Sequence, residues 1–110
     1  MGTKGPRGTG AAVTAAAHFT ERLGPLGASS KPMFGGHGLF ADGVMFGMIT
    51  PDGALALKGN DATRDRIEAE GAVRSGTMPY WRVPASVVDD DDGLLAWARE
   101  ALSVARAARR

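Results

Sequence analysis

Residues Met33–Met48 read MFGGHGLFADGVMFGM, five glycines set among phenylalanines and methionines. Two physical readings compete for such a stretch: a glycine-rich loop whose amides hold a phosphate, or a piece of sheet that needs glycine for its geometry. Gly36-His37-Gly38-Leu39-Phe40-Ala41 fits the dinucleotide fingerprint G-x-G-x-x-A, and Asp61 follows about 20 residues later, where that motif expects an acid. The fingerprint works only between a strand and a helix, because the helix N-terminus meets the pyrophosphate. Asp42-Gly43 instead turns the chain at once. That dipeptide suits both positive-φ positions of a type I′ hairpin turn, and Val44–Thr50 then reads as an apolar strand. No βαβ unit can be built there, and no Walker-type Gly-Lys-Ser/Thr occurs. The segment is read as a bent antiparallel ribbon. Glycine in its strands permits a sharp bend, a bulge or the close approach of a ring. Phe34, Phe40 and Phe46, spaced six apart, are expected to pack over those glycines.

Pro51-Asp52-Gly53 is turn chemistry again, and Leu55 and Leu57 alternate on one face of Ala54–Lys58, so Met33–Lys58 forms a meander. Before it, an alanine-rich run from about Ala11 favours helix, with Phe19, Leu23 and Leu26 extending the face begun by Ala12, Ala15 and Ala16. Gly24-Pro25 stops that helix. After the meander, Asn60 or Asp61 can cap a short helix over Ala62–Glu70, closed by Gly71. Ala72–Met78 is weakly patterned. Tyr80–Val83 reads as one further strand, Ser86–Val88 as a helical turn. Asp89–Asp92 then opens a last helix, with Leu94, Trp97, Ala98, Ala101, Leu102 and Ala105 on its inner face. The fold class expected is α+β: an antiparallel sheet, a meander plus one further strand, packed against N-terminal and C-terminal helices.

With 110 residues, 44% of them apolar, the chain makes one small domain over residues 11–110, preceded by a flexible tail over residues 1–10. A net charge of +1 creates no field that demands nucleic acid or an acidic membrane. The absence of cysteine excludes disulfides, thiol catalysis and Cys-ligated metal. No apolar run approaches the ~20 residues that span a bilayer. The N-terminal MGTKGPRGTGAAVTAAAHF is interrupted by Thr14 and His18 and lacks leucine, so it does not read as a secretion signal. A cytoplasmic protein with no membrane association is expected.

Three blocks carry a family likeness: KPMFGGHGLFADGVMFGMI, LALKGNDATRDRIEAEG and MPYWRVPASVVDDDDGLLAWAREAL. In this order they resemble the N-terminal domain of the TfoX/Sxy competence-regulator family, over roughly Phe19 to Leu102. The resemblance implies an α+β domain with helices packed on an antiparallel sheet. It also implies a role in regulating natural competence alongside a cyclic-AMP-dependent transcription activator, with no catalytic residue and no cofactor. Three features depart from the family. Pro32 follows Lys31 where a second basic residue is usual. The stretch between Gly71 and Pro79 is short, as for a trimmed hairpin. The chain also stops before the helical second domain of full-length regulators, so a stand-alone module is expected.

Few residues promise chemistry. His18 and His37 are the only histidines, too few for a zinc centre, and His18 is expected at the surface. His37, between glycines, is expected as an exposed imidazole at the sheet bend, without a nucleophile or orienting acid beside it. Asp89–Asp92 lacks the alternating oxygen ligands and distal glutamate of a calcium loop, and is assigned to the helix dipole and the N-cap. No metal site is expected. Tyr80-Trp81-Arg82 is the best interface candidate: on a strand Tyr80 and Arg82 point one way and Trp81 the other, and these residue types dominate binding hot spots. Met33, Phe34 and His37 join it as the candidate interaction surface. Arg99, Arg106 and Arg110 share a helix face that could touch phosphates. The favoured function is a non-enzymatic regulatory module that offers a sheet face or edge to a protein partner, a transcription regulator in the family picture, or to another copy of itself. The alternatives are a small nucleic-acid-associated protein using the arginine face, and a small-ligand binder or enzyme near Gly35–Gly38.

Overall fold

The computed structural model of the chain describes residues 10–109; the expected N-terminal tail, apart from Gly10, and Arg110 lie outside them. Helix α1 runs over Gly10–Arg22 and buries Ala12, Ala16 and Phe19, so its small alanines let it lie close against the sheet. A 3-10 turn, Gly24–Leu26, begins at the expected stop, Gly24-Pro25, and ends at Gly27 in the left-handed conformation. Six strands follow: β1 (Ser29–Met33), β2 (Gly36–Ala41), β3 (Val44–Ile49), β4 (Leu55–Lys58), β5 (Val73–Arg74) and β6 (Tyr80–Arg82). They form one antiparallel sheet in the order β1-β2-β3-β4-β6-β5. The glycine-rich stretch is thus a ribbon of hairpins, and a strand follows Ala41. Asp42 and Gly43 turn β2 into β3 with φ of 53° and 77°, as type I′ requires. The register shifts between Leu39 and Phe40, a bulge of the kind the glycines were expected to permit.

Four expectations need correction. The meander begins earlier, at Ser29, because Phe34 and Gly35 are turn residues with φ of 50° and 79°. Phe34 therefore does not pack over glycine. Its ring projects from the turn and is 85% exposed. A second strand, β5, lies beyond the one further strand expected and closes a short hairpin with β6. At the start of the last helix, Asp90 occupies the N-cap position but its side chain makes no capping bond. Asp91 instead meets Arg22 at 2.9 Å, fastening that helix to the end of α1.

Helix α2 (Asp61–Ala69) opens with Asn60, whose side chain accepts from the Thr63 amide while the Thr63 hydroxyl accepts from the Asn60 amide. After one short turn, α3 (Ala85–Val88), the long helix α4 (Asp91–Ala108) buries Leu94, Ala98, Ala101, Leu102 and Ala105. It lies on β3 and β4, while α1 lies mainly on β2 and β1. Both therefore cover the same side of the sheet. The main core joins Phe19 and Leu23 to Leu39, Phe46, Ile49, Leu55 and Leu57, with Leu94 and Leu102 above them. A smaller cluster joins Ile67, Ala72 and Trp81, and Trp97 packs against both.

Candidate functional site

Strand alternation and register sort every sheet residue onto one of two faces. The row Leu39–Gly47–Leu57–Trp81 faces the helices, and so does His37, which pairs with the core residue Ile49. The next row across the sheet, Lys31–Gly38–Met48–Ala56–Arg82, faces away from them. Phe40 and Met45, paired beyond the bulge, share this outer face with the pair Lys58 and Tyr80. Ala56 and Tyr80 are buried, at 0% and 5% exposure, yet belong to neither helix-side cluster. What shields them is the outer layer of side chains.

That layer has a defined build. A side chain at Gly38 would come within 2.9 Å of the Phe40 ring and 3.0 Å of the Met33 sulfur, so Met33 and Phe40 close over this glycine. The Lys31 ammonium sits 5.2 Å from the centre of the Phe40 ring, and that of Lys58 sits 5.3 Å from the Tyr80 ring. Arg82 reaches Asp52 in the β3–β4 turn at 3.3 Å. The Thr50 hydroxyl, and next the Arg82 guanidinium, hold the Asp52 carboxyl below its ordinary range. Of the candidate surface, the structure gathers Met33, Phe34, Tyr80 and Arg82 on the outer face and its rim. It places His37 and Trp81 on the other face.

His37 is not the exposed imidazole expected. It is 7% exposed, because its register opposite Ile49 turns it inward, and its Nδ1 is buried without a hydrogen bond. Trp81 donates its indole N–H to Glu68 at 2.6 Å and lies under the guanidinium of Arg74. His18 is exposed, as expected, with its ring edge-on to Phe19. Sequence reasoning missed Phe40, Met45 and Met48 as surface residues. The signal was present in the alternation of Met45 and Met48 with Phe46 and Ile49, but the bulge obscured it.

Burial pushes the phenol of Tyr80 above its ordinary value near 10. The protonated phenol thus favours the fold in full below pH ~10, and that contribution is lost as pH rises through the raised folded value. Tyr80 is the only tyrosine, so phenolate absorbance reads it alone. A titration midpoint higher in the native protein than in urea is expected; equal midpoints would contradict the placement of the ring.

Two of the C-terminal arginines are engaged within the domain. Arg106 pairs with Asp42 at 3.0 Å and Arg109 donates to the Gly43 carbonyl at 3.2 Å, clipping α4 to the β2–β3 turn. Arg99 is exposed, and Arg110 lies outside the described residues. An open groove of about 470 Å3 lies between Lys58–Asp61, Pro79 and the last turns of α4, but the Asn60 side chain there is committed to its cap. A gap of about 10 Å3 between Leu57, Ile67, Trp81 and Trp97 has room for one water. Neither opening includes Gly35–Gly38. Among the described residues no cluster of three His, Cys, Asp or Glu could hold a metal, and no helix is long and apolar enough to cross a membrane.

The geometry defines a class: a small sheet domain clad by helices on one side, with an apolar and basic face on the other. The model of the TfoX N-terminal domain matches residues 20–105, and the chain belongs to that family of competence-related regulatory domains. A comparison with curated proteins returned no match.

Proposed function

We propose that this domain is a non-enzymatic regulatory module, acting in the cytoplasm, that works by presenting the helix-free face of its sheet to a protein partner in transcription control. The observation that carries this reading is the sidedness of the sheet. Among the described residues every helix that packs on it lies on one face, while Met33, Phe40, Met45 and Met48 stand half-buried on the other beside the exposed Phe34. Methionine adapts its unbranched thioether to varied apolar surfaces, which suits docking. Edge pairing is disfavoured: β1 carries Lys31 and Pro32, whose nitrogen has no hydrogen to donate, and β5 has two residues.

The test is regulation in the native host. Phe34→Ser with Met48→Ser should leave the fold intact by circular dichroism but lower expression of DNA-uptake genes. Arg64→Glu with Asp65→Arg, on the exposed side of α2, should regulate normally. A folded outer-face variant with full regulation would overturn the proposal.

A further inference from the structure

We infer that the helix-free face is a docking site for an acidic amphipathic helix lying across the strands. This rests on the reading of that face as a partner surface and adds the chemistry of the partner.

Charge is the first argument. Among the described residues no strand position is acidic, while the helix-free face carries Lys31, Lys58 and Arg82; Arg74 lies over Trp81 on the other face. The acids of the described residues lie on helices, at helix ends, or in the turns at Asp42 and Asp52. Of the outer cations, only Arg82 has a carboxylate. Lys31 and Lys58 lie over aromatic rings and make no ion pair among the described residues. Ammonium groups held over apolar surface favour an incoming carboxylate more than fully hydrated ones do.

Shape is the second. The row Lys31–Gly38–Met48–Ala56–Arg82 ends in cations, has small residues at its second and fourth places, and has one methionine at its centre. Four strand steps at about 4.8 Å make it roughly 19 Å long. On a helix, residues about eleven apart lie on one face and about 16.5 Å along the axis. Two acids so spaced meet Lys31 and Arg82, whose guanidinium gives one nitrogen to Asp52 and keeps donors for a second carboxylate. Apolar residues between the acids rest on Met48 and on Met33 and Phe40 where these close over Gly38.

Other occupants fit less well. Single-stranded nucleic acid needs successive open ring faces for stacking, whereas Phe40 is covered by Lys31, Tyr80 is buried beneath Lys58, and the exposed Phe34 stands alone at the rim. Two copies joined face to face would oppose like charges.

The probe is a capped synthetic helix of about sixteen residues, with leucines on one face and two glutamates about eleven apart flanking them. A second peptide carries lysine at both places. Protein labelled with 15N and with 13C at the methionine methyls is titrated with each. The glutamate peptide should shift Met33, Met45 and Met48 and the amides of β1 to β4 and β6, leaving α1 and α4 unmoved. The lysine peptide should not bind. Lys31→Glu with Arg82→Glu should weaken the glutamate peptide at least about tenfold and gain the lysine peptide. Equal binding of both peptides, or shifts on the helices, would overturn the inference. So would the same methyl shifts produced by an oligothymidylate in place of the peptide, or by raising protein concentration alone. If the peptides fail while outer-face variants still lose regulation, the acidic helix is wrong and the partner surface stands. If the peptide binds while those variants regulate normally, the functional reading is the one that fails.

Discussion

Gly36→Ala is expected to abolish folding. A methyl group there would stand 1.9 Å from the carbonyl oxygen of Ile49 and 3.1 Å from its carbon. Both atoms belong to the backbone of β3, so no side-chain rotation relieves the clash. Relief requires β2 and β3 to part, and this pairing joins the strands under α1 to those under α4. The cost is several kcal/mol, comparable to the roughly 5–15 kcal/mol that hold a domain together. Gly43→Ala supplies the internal comparison. Its site is open space, and only its φ of 77° resists a side chain, at about 1–2 kcal/mol. Thermal melts followed by circular dichroism should show Gly43→Ala folded and Gly36→Ala unfolded or melting far lower. Similar melting temperatures would mean that Gly36 does not lie against Ile49.

Phe46→Ala should cost about 3–5 kcal/mol, since the ring is fully buried in the main core and its loss leaves a cavity. Phe34→Ala, at an exposed turn position, should stay within about 0.5 kcal/mol. The two residues look alike in sequence, so the contrast tests their placement. Urea unfolding measures it, and a cost at Phe34 equal to that at Phe46 would contradict the structure.

The reasons for what was legible differ from element to element. Asp42-Gly43 was readable because few residue pairs tolerate two positive φ values, and α4 because Leu94, Ala98, Ala101, Leu102 and Ala105 recur at three and four. Asn60 was readable as a cap for the same kind of local reason. The Phe34-Gly35 turn was hidden: phenylalanine is an uncommon occupant of a positive-φ position, and its apolar character suggested strand. Strand β1 was hidden because an edge strand with four exposed residues of five carries no apolar alternation. The opposed faces of Tyr80 and Trp81 followed from period alone. Which face the helices would cover did not, and His37 was placed outside because a polar residue in an inward row runs against the pattern. The bulge puts an extra residue, Phe46, into β3 opposite Leu39/Phe40, so Phe46 and Gly47 both turn in and Met45 turns out, while Phe40 keeps step with Gly38 on β2. For that reason the outer face, the part proposed to function, was the least legible.

The central claim is that the glycine-rich ribbon has helices on one side only. The native chain has no cysteine, so a single introduced thiol reports its own accessibility. Met48 and Ile49 are neighbours on β3 with side chains on opposite faces. Labelling of Met48→Cys by a charged maleimide in the folded protein should be fast, while Ile49→Cys should react only at the rate of unfolding. A protected thiol at 48, or a reactive one at 49 in a protein still folded by circular dichroism, would contradict the account.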